Sequence, residues 1–227
     1  MAGASGREVL DVGIGTGVSA RPFRAAGFRV LGVEVDARMA AFARRDGFEV
    51  EVAKFEDCDL AGRTFDLVIA GMTWHWVDPR VRAEKAAALL RPGGRFAAFW
   101  NVGQPPPELA QAFSGIYKRV LPNTPFAEMP SDSLGAYERV FTTTADEIRR
   151  VEVFGEPQRW QVDWDQPYTT AQWLDQVPTF GGHSQFPRAT LEKLLDRIGT
   201  AVDQAGGRFM MRYAAVAVTA TREPDGT

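Results

Sequence analysis

The chain has 227 residues, 45% of them hydrophobic and 24% charged, with a net charge of −3. Those are the proportions of a globular domain with enough apolar material for a sizeable core, without the basic footprint of a nucleic-acid binder. One cysteine, Cys58, and two histidines, His75 and His183, leave no internal disulfide and no thiolate and imidazole cluster for zinc.

No apolar stretch approaches the ~18 residues that cross a bilayer. Met1–Leu10 (MAGASGREVL) has neither a basic start nor an apolar run, which points to a cytoplasmic protein with no membrane association. The first half then alternates short β-rich runs with helical runs, the signature of βαβ units and a parallel sheet. Strands are expected at Glu8–Val12, Arg29–Glu34, Phe48–Val52, Phe65–Ala70 and Arg95–Trp100. Between the first two, a helix that starts at Ser19 places Pro22 in its first turn, where no backbone donor is missed. Asp36 can N-cap the next helix (ARMAAFARR), which Gly47 ends. Asp78 and Pro79 open a further one that Arg91, Pro92, Gly93 and Gly94 close.

After Trp100 the character changes, with Pro105, Pro106, Pro107, Pro122, Pro125 and Pro130 punctuating the chain. Leu109, Phe113, Ile116, Tyr117 and Val120 recur at helical spacing, so Glu108–Leu121 is a helix that needs a packing partner. Residues 101–150 therefore read as a cap-like insert within a single domain spanning 1–227. A short helix near Ala145–Arg150, β-like segments at Val151–Phe154 and Arg159–Asp165, and a helix over Thr170–Val177 follow. A longer helix, Arg188–Ala205, stops at Gly206 and Gly207, and a last strand covers Arg212–Thr221. The tail from Arg222 to Thr227 is expected to fray.

Val9–Gly17, VLDVGIGTG, carries most of the functional information. A strand ends in Asp11 and runs into Gly13, Gly15 and Gly17, which let a ligand approach the main chain closely. A dinucleotide fingerprint from Gly13 would want Gly or Ala where Val18 stands, and no Lys-Ser/Thr follows for a phosphate loop. A carboxylate at Asp11 would repel a pyrophosphate and suits a ligand with an ammonium or sulfonium group. Glu34, ending the second strand, can accept hydrogen bonds from both hydroxyls of a ribose.

These segments together resemble the class I S-adenosylmethionine-dependent methyltransferases. VLDVGIGTG is similar to the family's first motif and LGVEVD (Leu31–Asp36) to its acidic second-strand end. AKFED (Ala53–Asp57), then FDLVIAGMTWHWVD and LRPGGRFAAFW, resemble the segments around strands three to five. The likeness is close over residues 8–100, and GGRFMMRYAAVAVTATR is similar, more loosely, to the small-molecule type-11 members. The resemblance implies a doubly wound, mostly parallel seven-stranded α/β Rossmann-like sheet with an antiparallel last strand and a cap insert after strand five. It also implies S-adenosyl-L-methionine as cofactor and a small-molecule acceptor, in a monomer or homodimer. Gly13, Gly15, Thr16 and Gly17 would border the cofactor's methionine and ribose part, Asp11 its amine and Glu34 its ribose hydroxyls. Val35 and Phe55 would sandwich adenine, Glu56 or Asp57 would face its exocyclic amine, and Gly71 and Met72 would lie beside the transferable methyl.

Thr73–Asp78 (TWHWVD) joins strand four to its helix at that end, and His75 is the candidate catalytic residue. It is either a general base or a contact that shapes the cofactor pocket, the second being expected because the segment must form that pocket for any acceptor. The acceptor atom is an oxygen, a nitrogen or a carboxylate, attacking the sulfonium methyl in line. GMTWHW stands where a nucleic-acid methyltransferase would carry an Asp/Asn-Pro-Pro-aromatic motif, which disfavours that class. Family members usually carry one or two helices ahead of the first strand, whereas the first strand here is expected at Glu8. A non-catalytic S-adenosylmethionine-binding or interaction protein with an incomplete lid is the alternative.

Overall fold

The computed structural model describes residues 7–60, 62–128 and 130–224, so the expectations for the first six residues and the last three lie outside the described residues. Five strands succeed one another through the first half: β1 (Glu8–Val12), β2 (Arg29–Glu34), β3 (Glu49–Val52), β4 (Phe65–Gly71) and β5 (Leu90–Gln104). Between them lie α1 (Arg21–Ala25), α2 (Ala37–Arg45) and α3 (Arg82–Leu89). The remainder holds α4 (Pro107–Val120), α5 (Ser133–Arg149), β6 (Gln158–Thr169), α6 (Thr170–Gln176), α7 (Arg188–Gln204) and β7 (Arg208–Thr221). The sheet has seven strands in the order β3-β2-β1-β4-β5-β7-β6, with β7 antiparallel: a Rossmann-like α/β fold. No helix among the described residues is long and apolar enough to cross a membrane.

β1 pairs in parallel with β2 on one side and β4 on the other, with Asp11 opposite Gly32 and Ile69. Val9, Leu10 and Val12 of β1 and Val68, Ile69 and Ala70 of β4 are all buried, as both faces of an inner parallel strand must be. The chain winds outward through β2 and β3 and then returns to the other side of β1. The connections leaving β1 and β4 therefore turn to opposite sides of the sheet, which places the crevice expected of such a fold at the carboxyl ends of these two strands.

Compact packing divides the chain into two units. The first comprises Met1–Trp100, Val140–Gln161 and Val216–Thr227; the second comprises Asn101–Arg139 and Val162–Ala215. In the first unit α2 lays Ala40 and Ala43 on Phe48 and Val50. In the second, Leu109, Phe113 and Tyr117 of α4 meet Trp173, Leu194 and Ile198, which is the packing partner the α4 pattern required.

Several boundaries differ from the sequence expectation. α1 begins at Arg21 because the chain first makes tight turns from Gly17, and Pro22 does occupy its first turn. Asp78 forms a turn of its own, accepting from the Arg80 amide, so α3 starts only at Arg82. Arg91–Gly94 does not merely end that helix: β5 starts at Leu90 and takes the segment in as an irregularity, with Gly93 at φ +78°. The helix expected near Ala145–Arg150 is the end of the 17-residue α5. Val151–Phe154 is a turn with one bridge, Phe154 to Arg222, so Arg222 is paired and does not fray.

Leu194 is fully buried in the second unit, whereas Met210 on β7 is 50% exposed. Leu194→Ala should therefore cost about 2–5 kcal/mol in urea unfolding, and Met210→Ala should stay within about 0.5 kcal/mol of the parent.

Candidate functional site

The crevice is built around Asp11, whose carboxylate is fully buried at the end of β1. Ser19 Oγ donates to Asp11 Oδ2 over 2.7 Å, while Oδ1 has no hydrogen-bond partner. Burial is the largest influence on this group; the Ser19 hydrogen bond opposes it and the charge of Glu34 adds to it, and the pKa is pushed up to about 7. A buried carboxylate with one unpartnered oxygen is short of a cation or donor, because an unmade interaction in a dry site carries a real cost.

The chain leaves β1 through Gly13, Gly15 and Gly17, all in the left-handed region at φ +72°, +58° and +87°. Contact adds to the conformational demand. A Cβ on Gly13 would lie 2.1 Å from Thr73 Cγ2, and one on Gly17 would lie 2.7 Å from the Phe48 ring. Glycine alone lets this turn close against both neighbours. Thr16, between them, is half-buried.

Glu34 is buried at the end of β2, beside this turn, and braces it. Gly15 N–H donates to Oε2 and Asp36 N–H to Oε1, each over 2.9 Å. Each oxygen keeps a further lone pair for a hydroxyl. Val35 is 65% exposed and presents an open apolar face, whereas Phe55, expected to pair with it, is 3% exposed. The Phe55 ring packs against Trp74 at 6.3 Å with the Lys85 ammonium 5.4 Å over it, so of the expected adenine sandwich Val35 alone is open. Glu56 accepts from the Asp78 amide over 2.6 Å, and Asp57 is exposed.

On the other wall, Gly71 ends β4 so tightly that a Cβ would lie 2.8 Å from the Phe99 ring and 3.2 Å from Ser19 Cβ. Met72 follows at φ +57°, a conformation that costs a non-glycine residue on the order of 1–3 kcal/mol. Its amide is pinned to Phe99 O over 2.8 Å, and Met72 is 42% exposed. Thr73 then donates to Gly71 O over 2.9 Å and fills the space above Gly13, so the turns after β1 and β4 touch directly.

His75 lies in the one-turn 3-10 helix Trp74–Trp76. Trp100 Nε1–H donates to its Nδ1 over 3.1 Å, so the ring proton of the neutral imidazole belongs on Nε2. Burial, helped by the charge of Arg82, lowers its pKa to about 4. A neutral ring that already accepts at Nδ1 is a donor through Nε2 and a poor proton acceptor near neutrality, which favours the pocket-shaping role over the general base.

The structure thus gathers Asp11, the glycine turn, Glu34, Gly71 and Met72 at one crevice. Ser19, Thr73 and Trp100, which the sequence alone did not single out, contact the candidate residues Asp11, Gly71 and His75 respectively. Ser19 carries no motif, and Thr73 and Trp100 stand inside segments noted for other residues.

Residues 10–98 match the family described as a methyltransferase domain. An uncharacterized methyltransferase of Mycobacterium bovis is 33% identical over 103 residues, 43% of this chain and 41% of the relative. The malonyl-[acyl-carrier protein] O-methyltransferase of Enterobacter lignolyticus is 35% identical over 112 residues, 48% of this chain and 45% of that protein. These matches span less than half the length of either relative. A putative type II methyltransferase from Anaeromyxobacter dehalogenans superposes with a TM-score of 0.61 at 21% identity, covering 96% of this chain and 91% of that one.

The raised Asp11 pKa has a signed consequence for stability. Its folded-state value, about 7, lies above the ordinary carboxyl value of 3.8, so its contribution is fully present below that value and is lost as pH rises toward and through 7. The melting temperature of ligand-free Asp11→Asn should therefore fall less than that of the parent between pH 4 and 8; identical profiles would contradict the assignment.

Proposed function

We propose, on the premise that residues 10–98 belong to the methyltransferase-domain family and its S-adenosylmethionine-dependent class, that this chain transfers a methyl group to a small molecule. The observation that carries the reading is Asp11: a buried carboxylate with an unpartnered oxygen beside a left-handed glycine turn, at the carboxyl ends of β1 and β4. Those residues fit a ligand that combines a cation with a ribose. Asp11 would take the methionine ammonium, Glu34 the ribose hydroxyls, and the backbone of Gly13–Gly17 the segment between them. Val35 would cover one face of adenine, and Gly71 with Met72 would border the reacting end.

S-adenosylmethionine, when bound, supplies a methyl group already activated by the sulfonium for in-line attack by an acceptor. The chain's task is then to align two reactants and keep water from the donor site. Glu34, fixed through Gly15 and Asp36, orients the ribose end, and the Met72 backbone, held on Phe99, sets the wall at the opposite end. His75 offers a donor and not a base, so the reading favours an acceptor that is already a nucleophile at neutral pH, a carboxylate before a phenol or alcohol. The relative that methylates malonyl-[acyl-carrier protein] by name as an O-methyltransferase is consistent with an oxygen acceptor.

Calorimetry with S-adenosylmethionine, S-adenosylhomocysteine and NAD tests this directly. Both sulfur ligands should bind and NAD should not, and binding of NAD with no response to either would overturn the reading. His75→Ala should weaken donor affinity together with turnover. Intact affinity with turnover lowered by roughly 10²- to 10⁴-fold would instead make His75 a base and the acceptor a hydroxyl.

A further inference from the structure

A buried ion pair lies behind the turn that carries His75, and the donor site as described makes no use of it. Arg82, the first residue of α3, and Glu147, near the end of α5, are each 5% exposed. They meet in a two-point contact, Arg82 Nε to one carboxylate oxygen and Nη2 to the other, each 2.7 Å. The third nitrogen, Nη1, donates to the carbonyls of Trp74 and, over 3.2 Å, of Val77. The guanidinium also lies 5.4 Å from the Trp74 ring centre, and Trp74 is fully buried against Phe96 at 4.6 Å. One side chain thus grips both ends of the turn 74–77, and a carboxylate from a distant helix fixes the grip.

Stability is a weak reason for such a pair. Desolvating two charges offsets most of their attraction, and replacing a buried pair by apolar groups of similar volume is often neutral or favourable. What apolar groups would not supply is the fork of donors: the carboxylate takes two N–H groups and leaves the third nitrogen aimed at the two carbonyls. The same turn is held at its other end by Glu56 on the Asp78 amide, and Lys85 Nζ donates to the carbonyls of Glu56 and Cys58 over 2.9 and 2.7 Å. The segments after β3 and β4 are therefore braced together, with His75 on the braced turn.

We propose that Glu147, acting through Arg82, is a positioning residue for the donor pocket: it sets the turn 74–77 and so keeps His75 in register with the Trp100 indole. This rests on the reading of the β1/β4 crevice as the donor site. Glu147 stands outside residues 10–98, so the carboxylate of the brace comes from the later part of the chain, while Arg82 and the turn it holds lie within the segment that matches the family.

The test pairs a readout of the turn with a readout of the site. Trp100 Nε1–H exchange, followed by NMR without ligand, reports the contact to His75, and calorimetry with S-adenosylmethionine reports the pocket. The full chain carrying Arg82→Met and Glu147→Met should melt within a few degrees of the parent, yet exchange the indole proton roughly tenfold faster and bind the donor roughly tenfold more weakly. A folded double variant with the parent's exchange rate and affinity would overturn the proposal. Should that variant fail to fold, Glu147→Gln, which keeps volume and one acceptor, should show the same two changes at smaller size, and parental values there overturn the proposal equally. Failure of the unmodified chain to bind S-adenosylmethionine would count against the donor-site reading alone, and indole exchange would still decide the brace.

Discussion

The structure depends on keeping a carboxylate in a dry place. Asp11 is enclosed on both sides by parallel strands, with Gly32 and Ile69 as its neighbours in register, and its single hydrogen bond comes from Ser19. Burying such a group without a full set of partners is unfavourable, and the protein meets that cost partly by holding the proton longer. One of its oxygens is buried without a hydrogen-bond partner. Around it the turn after β1 bends through the left-handed Gly13, Gly15 and Gly17, and the wall after β4 packs closely because Gly71 carries no side chain.

The two walls do not act separately. Thr73 sits in the space that any larger residue at Gly13 would need, so the turn after β4 and the turn after β1 are fitted to each other. Met72 is held in a conformation that its side chain disfavours, pinned by the neighbouring strand at Phe99. Strain of that kind persists where the surroundings over-determine it, and it lies here just past the carboxyl end of β4, the wall assigned under the proposed function to the reacting end. His75 then completes the wall as a neutral ring. Its Nδ1 accepts from the Trp100 indole and burial holds its pKa at about 4, so under the proposed function it serves as a donor and not as a proton acceptor.

Much of this was legible in the amino-acid order, for identifiable reasons. The strands of the first half are short apolar runs bounded by Asp and Gly, and local signals of that kind place β1, β2 and β4 within a residue of their observed ends. Asp11, Glu34 and the glycines declare themselves because polar and flexible residues are out of pattern at the ends of buried strands. The burial of Phe55 was not legible, because its neighbours Trp74 and Lys85 are remote in sequence. Trp100 and Glu147 were beyond reach because each meets a residue remote in sequence, and Ser19 because it stands outside any motif. The β5 boundary was missed because Arg91–Gly94 has the composition of a loop, and only pairing with β4 draws it into the sheet.

Asp11, with its pKa raised to about 7, is largely protonated below neutrality, and under the proposed function it ionises when a cationic ligand binds. Calorimetry of S-adenosylmethionine binding at pH 6, repeated in buffers of different ionisation enthalpy, measures the protons exchanged on binding. The protein should release close to one proton, because a carboxyl with a pKa of about 7 must ionise to face an ammonium group, and Asp11→Asn should release none at reduced affinity. The same proton count in both proteins, with affinity unchanged by the substitution, would contradict the claim.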